Sequence, residues 1–480
     1  QNQWASGITL NSVWSKNLYS VITLYANNYH SEVDFGYRYT ERQFNNTGNI
    51  QDSRILNSRY IFSNKSDNFE SAMRTQFGWS ISKTNRLEFG GQLKFGGYRQ
   101  TALIDADTVR YDTDNNGIYE SMIIKPAVDF NIDLKLFNQH KSYLFVNDRM
   151  KLLSGRLILN IGARYDVFTY SKASNFSPRF SASYYLIPQI TNINFAYGEY
   201  YQSLSYPTYG DRYNTDQNRF LKNSRSQHFV LGVEHILDDG LKLTVETYLK
   251  KYSDLPVNET FVHQSDPTFR SEKRFNIGKQ TVYGIDFMLQ QKLVKDIYGT
   301  ISFSRTWTKT EDPRIGMEGN TYVSEYDFPY VFNIIIGKRF KDARKTLDKL
   351  PALLKYASYI FPISDDMELS VKWRYASGKP YTERVFTTRE QHRVGGAAWT
   401  DGAWQLTDNI NGLRYPDYHR LDIGFNSRFN FQTWNLVLNL SLQNVYNRKN
   451  IAMYQYNSDG TIDNVYQLSI LPVMGLDVEF

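Results

Sequence analysis

The sequence predicts an all-β protein, a membrane-spanning antiparallel β-barrel. Three observations carry that prediction: long strands with strict alternation, connections that alternate between short and long, and 37 Tyr, 30 Phe and 8 Trp in 480 residues. Alternation is clearest near the C-terminus. Leu421, Ile423, Phe425 and Phe429 share one face, and Arg420, Asp422, Asn426 and Arg428 share the other. Leu436, Leu438, Leu440 and Leu442 then oppose Asn435, Asn439, Ser441 and Gln443, and Met474, Leu476, Val478 and Phe480 oppose Gly475, Asp477 and Glu479. A helix would scatter both sets around its circumference. A soluble sandwich would bury the greasy face in a core. The runs over 157–167 and 434–446 instead reach the roughly 9–11 residues of a membrane strand, against about 5–6 in soluble sheets.

Taken in order, strands fall at 4–13 and 18–37 around Ser15-Lys16-Asn17, followed by a polar loop over 38–68. A hairpin at 69–82 and 86–102 turns at Lys83-Thr84-Asn85, and an acidic excursion runs over 105–140. Strands 141–152 and 156–170 turn at Ser154-Gly155; 178–187 and 191–204 turn at Pro188-Gln189. A Tyr-rich loop over 205–224 leads to 228–237 and 241–252, joined by Asp238-Asp239-Gly240. Loop 253–274 precedes strands 275–291 and 297–309, and loop 310–327 precedes 329–340. The connection 341–366 has room for a short helix near 343–359, and strands 367–381, 418–431, 434–447 and 468–480 finish the chain. That is about seventeen strands in one domain over 1–480. Single-chain bacterial barrels have an even number, so an N-terminal part with an odd number of strands is expected to be missing.

Composition excludes several classes. No run of about 18 apolar residues exists, so helical spans are out. The mean hydropathy of −0.52 is uninformative, because every second residue of a barrel strand faces water. Zero cysteines exclude disulfides, cysteine zinc sites and thiol catalysis. The net charge of +6, from 55 basic and 49 acidic residues without a basic tract, gives no footprint for nucleic acid. No enzyme is indicated: His419 and Asp422 point to opposite faces of one strand, so they cannot join Ser427 in a triad. Paired carboxylates such as Asp166 and Glu246 read as partners of Arg164, Lys242 and Arg374 across neighbouring strands of a polar wall.

Candidate sites lie in the long loops. Tyr206, Tyr209, Arg212, Tyr213, Arg219 and Phe220 crowd one, and Arg384, Arg389, His392, Arg393, Trp399 and Trp404 crowd another. Aromatic faces with guanidinium forks suit sugars, peptides or carboxylate-bearing chelates. Asp112, Asp114 and Asn116 before Gly117 resemble the opening of a calcium loop over 105–120; the closing position holds Ile123, so Glu120 would substitute from a different angle, and ordinary acidic turns share that composition.

The segments Tyr418-His419-Arg420-Leu421-Asp422, Asn444-Val445-Tyr446-Asn447-Arg448-Lys449-Asn450, Ser377-Gly378-Lys379-Pro380-Tyr381, Ser177-Pro178-Arg179 and the closing Leu476-Asp477-Val478-Glu479-Phe480 together resemble the barrel of TonB-dependent outer-membrane receptors. The similarity is to the Bacteroidota type with a carboxypeptidase-regulatory-like N-terminal domain. The resemblance implies a 22-stranded barrel closed by an N-terminal plug, in the bacterial outer membrane, importing a scarce ligand such as a siderophore, oligosaccharide or peptide. About 17 of those strands are present, and the plug and energy-coupling box are absent. The implied partners are outer-membrane lipid, the TonB complex through the missing region, a surface lipoprotein, and the barrel-insertion machinery, which would read Phe480. A passive porin-like channel is the alternative.

Overall fold

The computed structural model describes residues 1–44, 50–104, 107–111, 120–125, 128–134, 139–209, 218–257, 274–314, 316–317, 319–343, 364–388, 392–394, 397–399, 402–457 and 460–480. Within 35–62, 104–134 and 387–403, and at Pro207, the description is of the backbone alone.

Seventeen long strands form the wall. The first eight are β1 (Asn2–Ser15), β2 (Leu18–Phe44), β3 (Ile50–Ser80), β4 (Asn85–Ile104), β5 (His140–Leu152), β6 (Leu157–Phe168), β7 (Ala173–Ile187) and β8 (Thr191–Gln202). The others are β9 (Ser224–Asp238), β10 (Leu241–Val257), β11 (Phe275–Val294), β12 (Ile297–Glu311), β13 (Tyr330–Phe340), β14 (Asp366–Ala376), β15 (Tyr418–Asn430), β16 (Asn435–Gln443) and β17 (Leu471–Glu479). Each pairs antiparallel with the next. Among the described residues no ladder joins β1 to β17, and these two edge strands are almost wholly exposed.

The two faces differ in the way a bilayer requires. Large apolar side chains such as Ile8, Leu144, Ile161, Phe176, Leu231, Phe287 and Leu476 line the outer face and are exposed. Only two small buried clusters exist among the described residues, so no second layer covers that face. In water such a surface would be prohibitive; against hydrocarbon it is the required solution. The inner face is polar and internally paired. Arg86 meets Glu88 at 2.8 Å, Arg164 meets Asp166 at 2.7 Å and Arg420 meets Asp422 at 2.8 Å, in each case two residues along the same strand. Arg164 thus finds its carboxylate on its own strand and not across the sheet. Lys242 pairs across strands with Glu234 at 3.6 Å.

Short turns rest on left-handed backbone. Lys295 (φ 49°) and Asp296 (φ 64°) are consecutive, the geometry that matches the right-handed twist of a hairpin. Ser154, Gln189 and Gly240 serve the neighbouring turns. Three features differ from the sequence expectation. Most of 38–68 is strand, because β2 and β3 run on beyond the apolar stretch; a ladder needs no hydrophobic face once water lies on both sides. The β6–β7 connection shrinks to four residues, 169–172, although it lies on the long-loop side. The inferred helix near 343–359 lies outside the described residues apart from Ala343, which is buried against Met367, Phe340 and Phe425.

The Asn444 turn after β16 shows how one polar residue fixes the outer rim. Asn444 is 1 % exposed with φ 53°. Its Nδ2 donates to the carbonyls of Arg448 (2.9 Å) and Leu468 (3.3 Å), and its Oδ1 accepts the Arg448 N–H at 3.0 Å. Asn444→Ala strands these groups and leaves a Cβ without its local bonds in a left-handed conformation, a loss of about 2–3 kcal/mol. Hydrogen exchange on the detergent-solubilised protein should show the Arg448 amide losing protection roughly a hundredfold.

Candidate functional site

The first loop cluster folds into the mouth. After β8 the chain makes one helical turn, α1 (Tyr206–Tyr209), beside Phe168, Tyr170 and Leu221. Tyr170 and Tyr209 meet edge to face at 5.3 Å, and Tyr206 stacks on Tyr98 at 5.2 Å. The Tyr209 hydroxyl accepts the Leu204 N–H at 3.2 Å. Tyr209 is fully buried, while Tyr206 keeps part of its surface and burial pushes its hydroxyl up to about 12. Arg219 donates to the Tyr170 carbonyl at 3.2 Å, with its guanidinium 5.3 Å from the Tyr170 ring. Arg212 and Tyr213 lie outside the described residues. Below this lid a cavity of about 290 Å³ opens into the lumen, lined by Lys94, Lys141, Arg164, Asp166, Ser203 and Asn223. Lys141 donates to Ser203 at 2.8 Å and sits 4.3 Å over Phe168. Lys94 pairs with Glu70 at 2.8 Å.

The second cluster is an aromatic platform built from three hairpins. Residues Arg384–Thr388 pair with Gly402–Leu406, Pro380–Tyr381 with Leu413–Arg414, and Ile451–Tyr456 with Ile462–Tyr466. Trp404 lies 4.8 Å from Tyr456 and 5.2 Å from Phe386, and its Nε1 donates to the Asn457 carbonyl at 2.7 Å. Tyr415 lies 4.6 Å from Tyr381 and 4.7 Å from Tyr454. The exposed Arg384 guanidinium stands 4.9 Å over Tyr456. Gly378 lets the hairpin close, since a Cβ there would fall 1.6 Å from the Tyr415 carbonyl oxygen. Trp404 and Arg384 are the sequence-predicted members of this platform. Arg389 lies outside the described residues, and Arg393 and Trp399 are described by backbone alone. Tyr415, Tyr454 and Tyr456 escaped sequence reasoning, because they arrive from separate hairpins. The Tyr454-x-Tyr456 spacing, which puts two rings on one strand face, was the available signal.

Beside the platform lies a polar pocket of about 540 Å³. Arg314 holds the buried Asp312 with two guanidinium nitrogens, the closer at 2.6 Å, and reaches Asp408 at 3.4 Å. Burial pushes the Asp312 carboxyl up, but hydrogen bonds from Arg314 outweigh it and hold the group below the usual range. Asn411 donates to the Val323 carbonyl at 2.8 Å, and Arg414 grips the buried Asp327. These contacts tie loop 312–329 to 408–414. Asp312-Pro313-Arg314 repeats the two-residue spacing of the wall pairs, the one sequence trace of this pocket.

For calcium, Asp112, Asp114 and Asn116 lie outside the described residues, and Glu120 sits in a strand described by backbone alone. Among the described residues no group of three His, Asp or Glu side chains could hold a metal. Phe480 follows β17 and is fully exposed.

An antiparallel wall with an apolar outer face, a salt-bridged inner face, tight turns at one end and elaborated loops at the other defines an outer-membrane barrel. The chain belongs to the family described as TonB dependent receptor-like, beta-barrel, which it matches over residues 1–447. Family membership places it in the bacterial outer membrane. No curated protein matches it. Among solved structures it is similar to the pyoverdine outer-membrane receptor FpvA of Pseudomonas aeruginosa, with TM-score 0.61 at 11% identity, covering 100% of this chain and 61% of that one. The ferric yersiniabactin uptake receptor FyuA of Yersinia pestis gives 0.62 at 9%, covering 99% and 60%. The ferric preacinetobactin receptor BauA of Acinetobacter baumannii gives 0.61 at 11%, covering 100% and 63%. The chain therefore spans about three fifths of the length of these structures. They are named as receptors, not as enzymes.

Proposed function

We infer that this barrel serves a receptor that captures a scarce ligand with its outer loops for import energised by the TonB complex, without chemistry of its own. The observation that supports the reading is the platform of Tyr381, Tyr415, Tyr454, Tyr456 and Trp404 capped by Arg384. Flat rings beside an exposed guanidinium suit a planar or ring-bearing ligand that carries a carboxylate. The three neighbours above are named for pyoverdine or ferric ligands, which makes metal chelates the first class to test, ahead of oligosaccharides and peptides.

The test uses the full-length receptor in detergent, titrated with a panel of ferric chelates, oligosaccharides and peptides. Trp404→Ala and Arg384→Ala are each expected to weaken the bound member about tenfold or more, the usual effect of removing an aromatic or arginine anchor. Equal affinity in wild type and both variants would move the binding surface away from the platform. Steady conductance of the full-length protein in planar bilayers would favour a passive channel instead.

A further inference from the structure

Within the apolar stretch of the outer face the wall carries a cation, Arg305. Odd-numbered residues of β12 point outward: Ile297, Ile301, Phe303 and Trp307 are apolar, but Arg305 is among them. Its cross-strand partners, Ile285 on β11 and Tyr330 on β13, share that outer face. The guanidinium lies 4.6 Å from the Trp307 ring and 4.0 Å from the Tyr330 ring. Tyr283 stacks on Trp307 at 5.2 Å, and Phe303 on Tyr330 at 6.4 Å, so the cage belongs to a continuous aromatic row.

Depth along the strand fixes where this cage sits. The opposite aqueous boundary is marked by the turn at Lys295 and Asp296, where Lys341 meets Asp296 at 2.9 Å. From Ile297 to Arg305 is about 27 Å of strand, or about 20 Å of height at a tilt of about 40°. The apolar band of a barrel is about 25 Å tall. Arg305 therefore lies just inside the outer edge of the hydrocarbon, beneath the charged rim where Lys279 meets Glu311 at 3.4 Å. Two rings occupy the flat faces of the guanidinium, yet its N–H donors find no acceptor among the described residues. A desolvated guanidinium needs one. The groups available at that depth on the outer face belong to lipid.

We propose that Arg305, caged by Trp307 and Tyr330, is the anchor of a site for the phosphate headgroup of an anionic membrane lipid, with the acyl chains lying along Phe303, Ile301, Ile285 and Phe287. Arg is suited to this task because its planar fork meets phosphate oxygens in pairs while its faces stay on the rings. Lys309, four residues further out on the same face, supplies a second cation toward the headgroup.

The experiment is native mass spectrometry of the full-length receptor, delipidated in mild detergent and titrated with phosphatidylglycerol, an uncharged diacylglycerol and inorganic phosphate in parallel. Phosphatidylglycerol retention is expected to weaken about tenfold in Arg305→Gln and to recover in part in Arg305→Lys, with diacylglycerol unchanged. Trp307→Leu keeps the charge and removes one wall of the cage; about a threefold weakening is expected, and this variant carries the test if Arg305→Gln does not fold. Equal phosphatidylglycerol retention in wild type, Arg305→Gln and Trp307→Leu overturns the proposal. So does displacement of the lipid by an equal concentration of inorganic phosphate, which would assign the site to the free anion.

Discussion

Tyr209→Ala is expected to open the mouth of the barrel. The ring is fully enclosed by Phe168, Tyr170 and Leu221, and large-to-small changes of buried aromatics cost about 3–5 kcal/mol. The loss is local, because the cluster meets the seventeen-strand ladder only at Phe168, the last residue of β6. Hydrogen exchange in detergent should therefore find the Thr208 and Leu221 amides, which bond to the Ser205 and Asn218 carbonyls, losing protection about a hundredfold or more. The amides of β10 and β11 should be unchanged. Tyr209→Phe keeps the ring, removes the bond from the Leu204 N–H and the contact with Ser171, and is expected to cost about 1 kcal/mol. If both variants exchange like wild type, the cluster does not hold the loop in the mouth.

Leu438→Arg against Asn439→Arg is the second large contrast, and it tests the orientation of the whole wall. The two residues are neighbours on β16, opposite Leu476 and Gly475 respectively on β17. Leu438 shares the outer face with Phe425, Leu440 and Met474, whereas Asn439 faces inward and donates to Asp477. An arginine on the lipid side near mid-membrane costs about 2–4 kcal/mol, falling to about 0–1 near an interface. Urea titration of the full-length receptor folded into vesicles should show that loss for Leu438→Arg and less than about 1 kcal/mol for Asn439→Arg. Reversal of the two values would turn the barrel inside out.

The wall was legible from the sequence because lipid and lumen impose opposite demands on alternate residues. All seventeen strands follow from that pattern, and the faces of β15 and β16 could be read residue by residue. Legibility failed where the medium became the same on both sides. Once β2 and β3 leave the membrane, water meets both faces and alternation lapses although the ladder continues, so 38–68 read as loop. The platform shows a second limit. Trp404 and Arg384 stood out by type, but their meeting with Tyr415, Tyr454 and Tyr456 depends on how three hairpins lean together, which no periodicity encodes. Asp312 and Arg314 carry no sequence pattern beyond their two-residue spacing, and only burial shows that they bound a pocket.

The Arg-x-acid pairs of the inner wall carry a consequence for permeation. Because Arg86, Arg164 and Arg420 are each neutralised within one residue's reach along their own strand, the field of each pair decays within a few ångströms of the wall. These three pairs on their own therefore exert little pull on a small ion beyond contact distance. At the entrance the exposed Arg384 guanidinium stands over the Tyr456 ring instead, so its charge reaches further into the water than that of a wall pair.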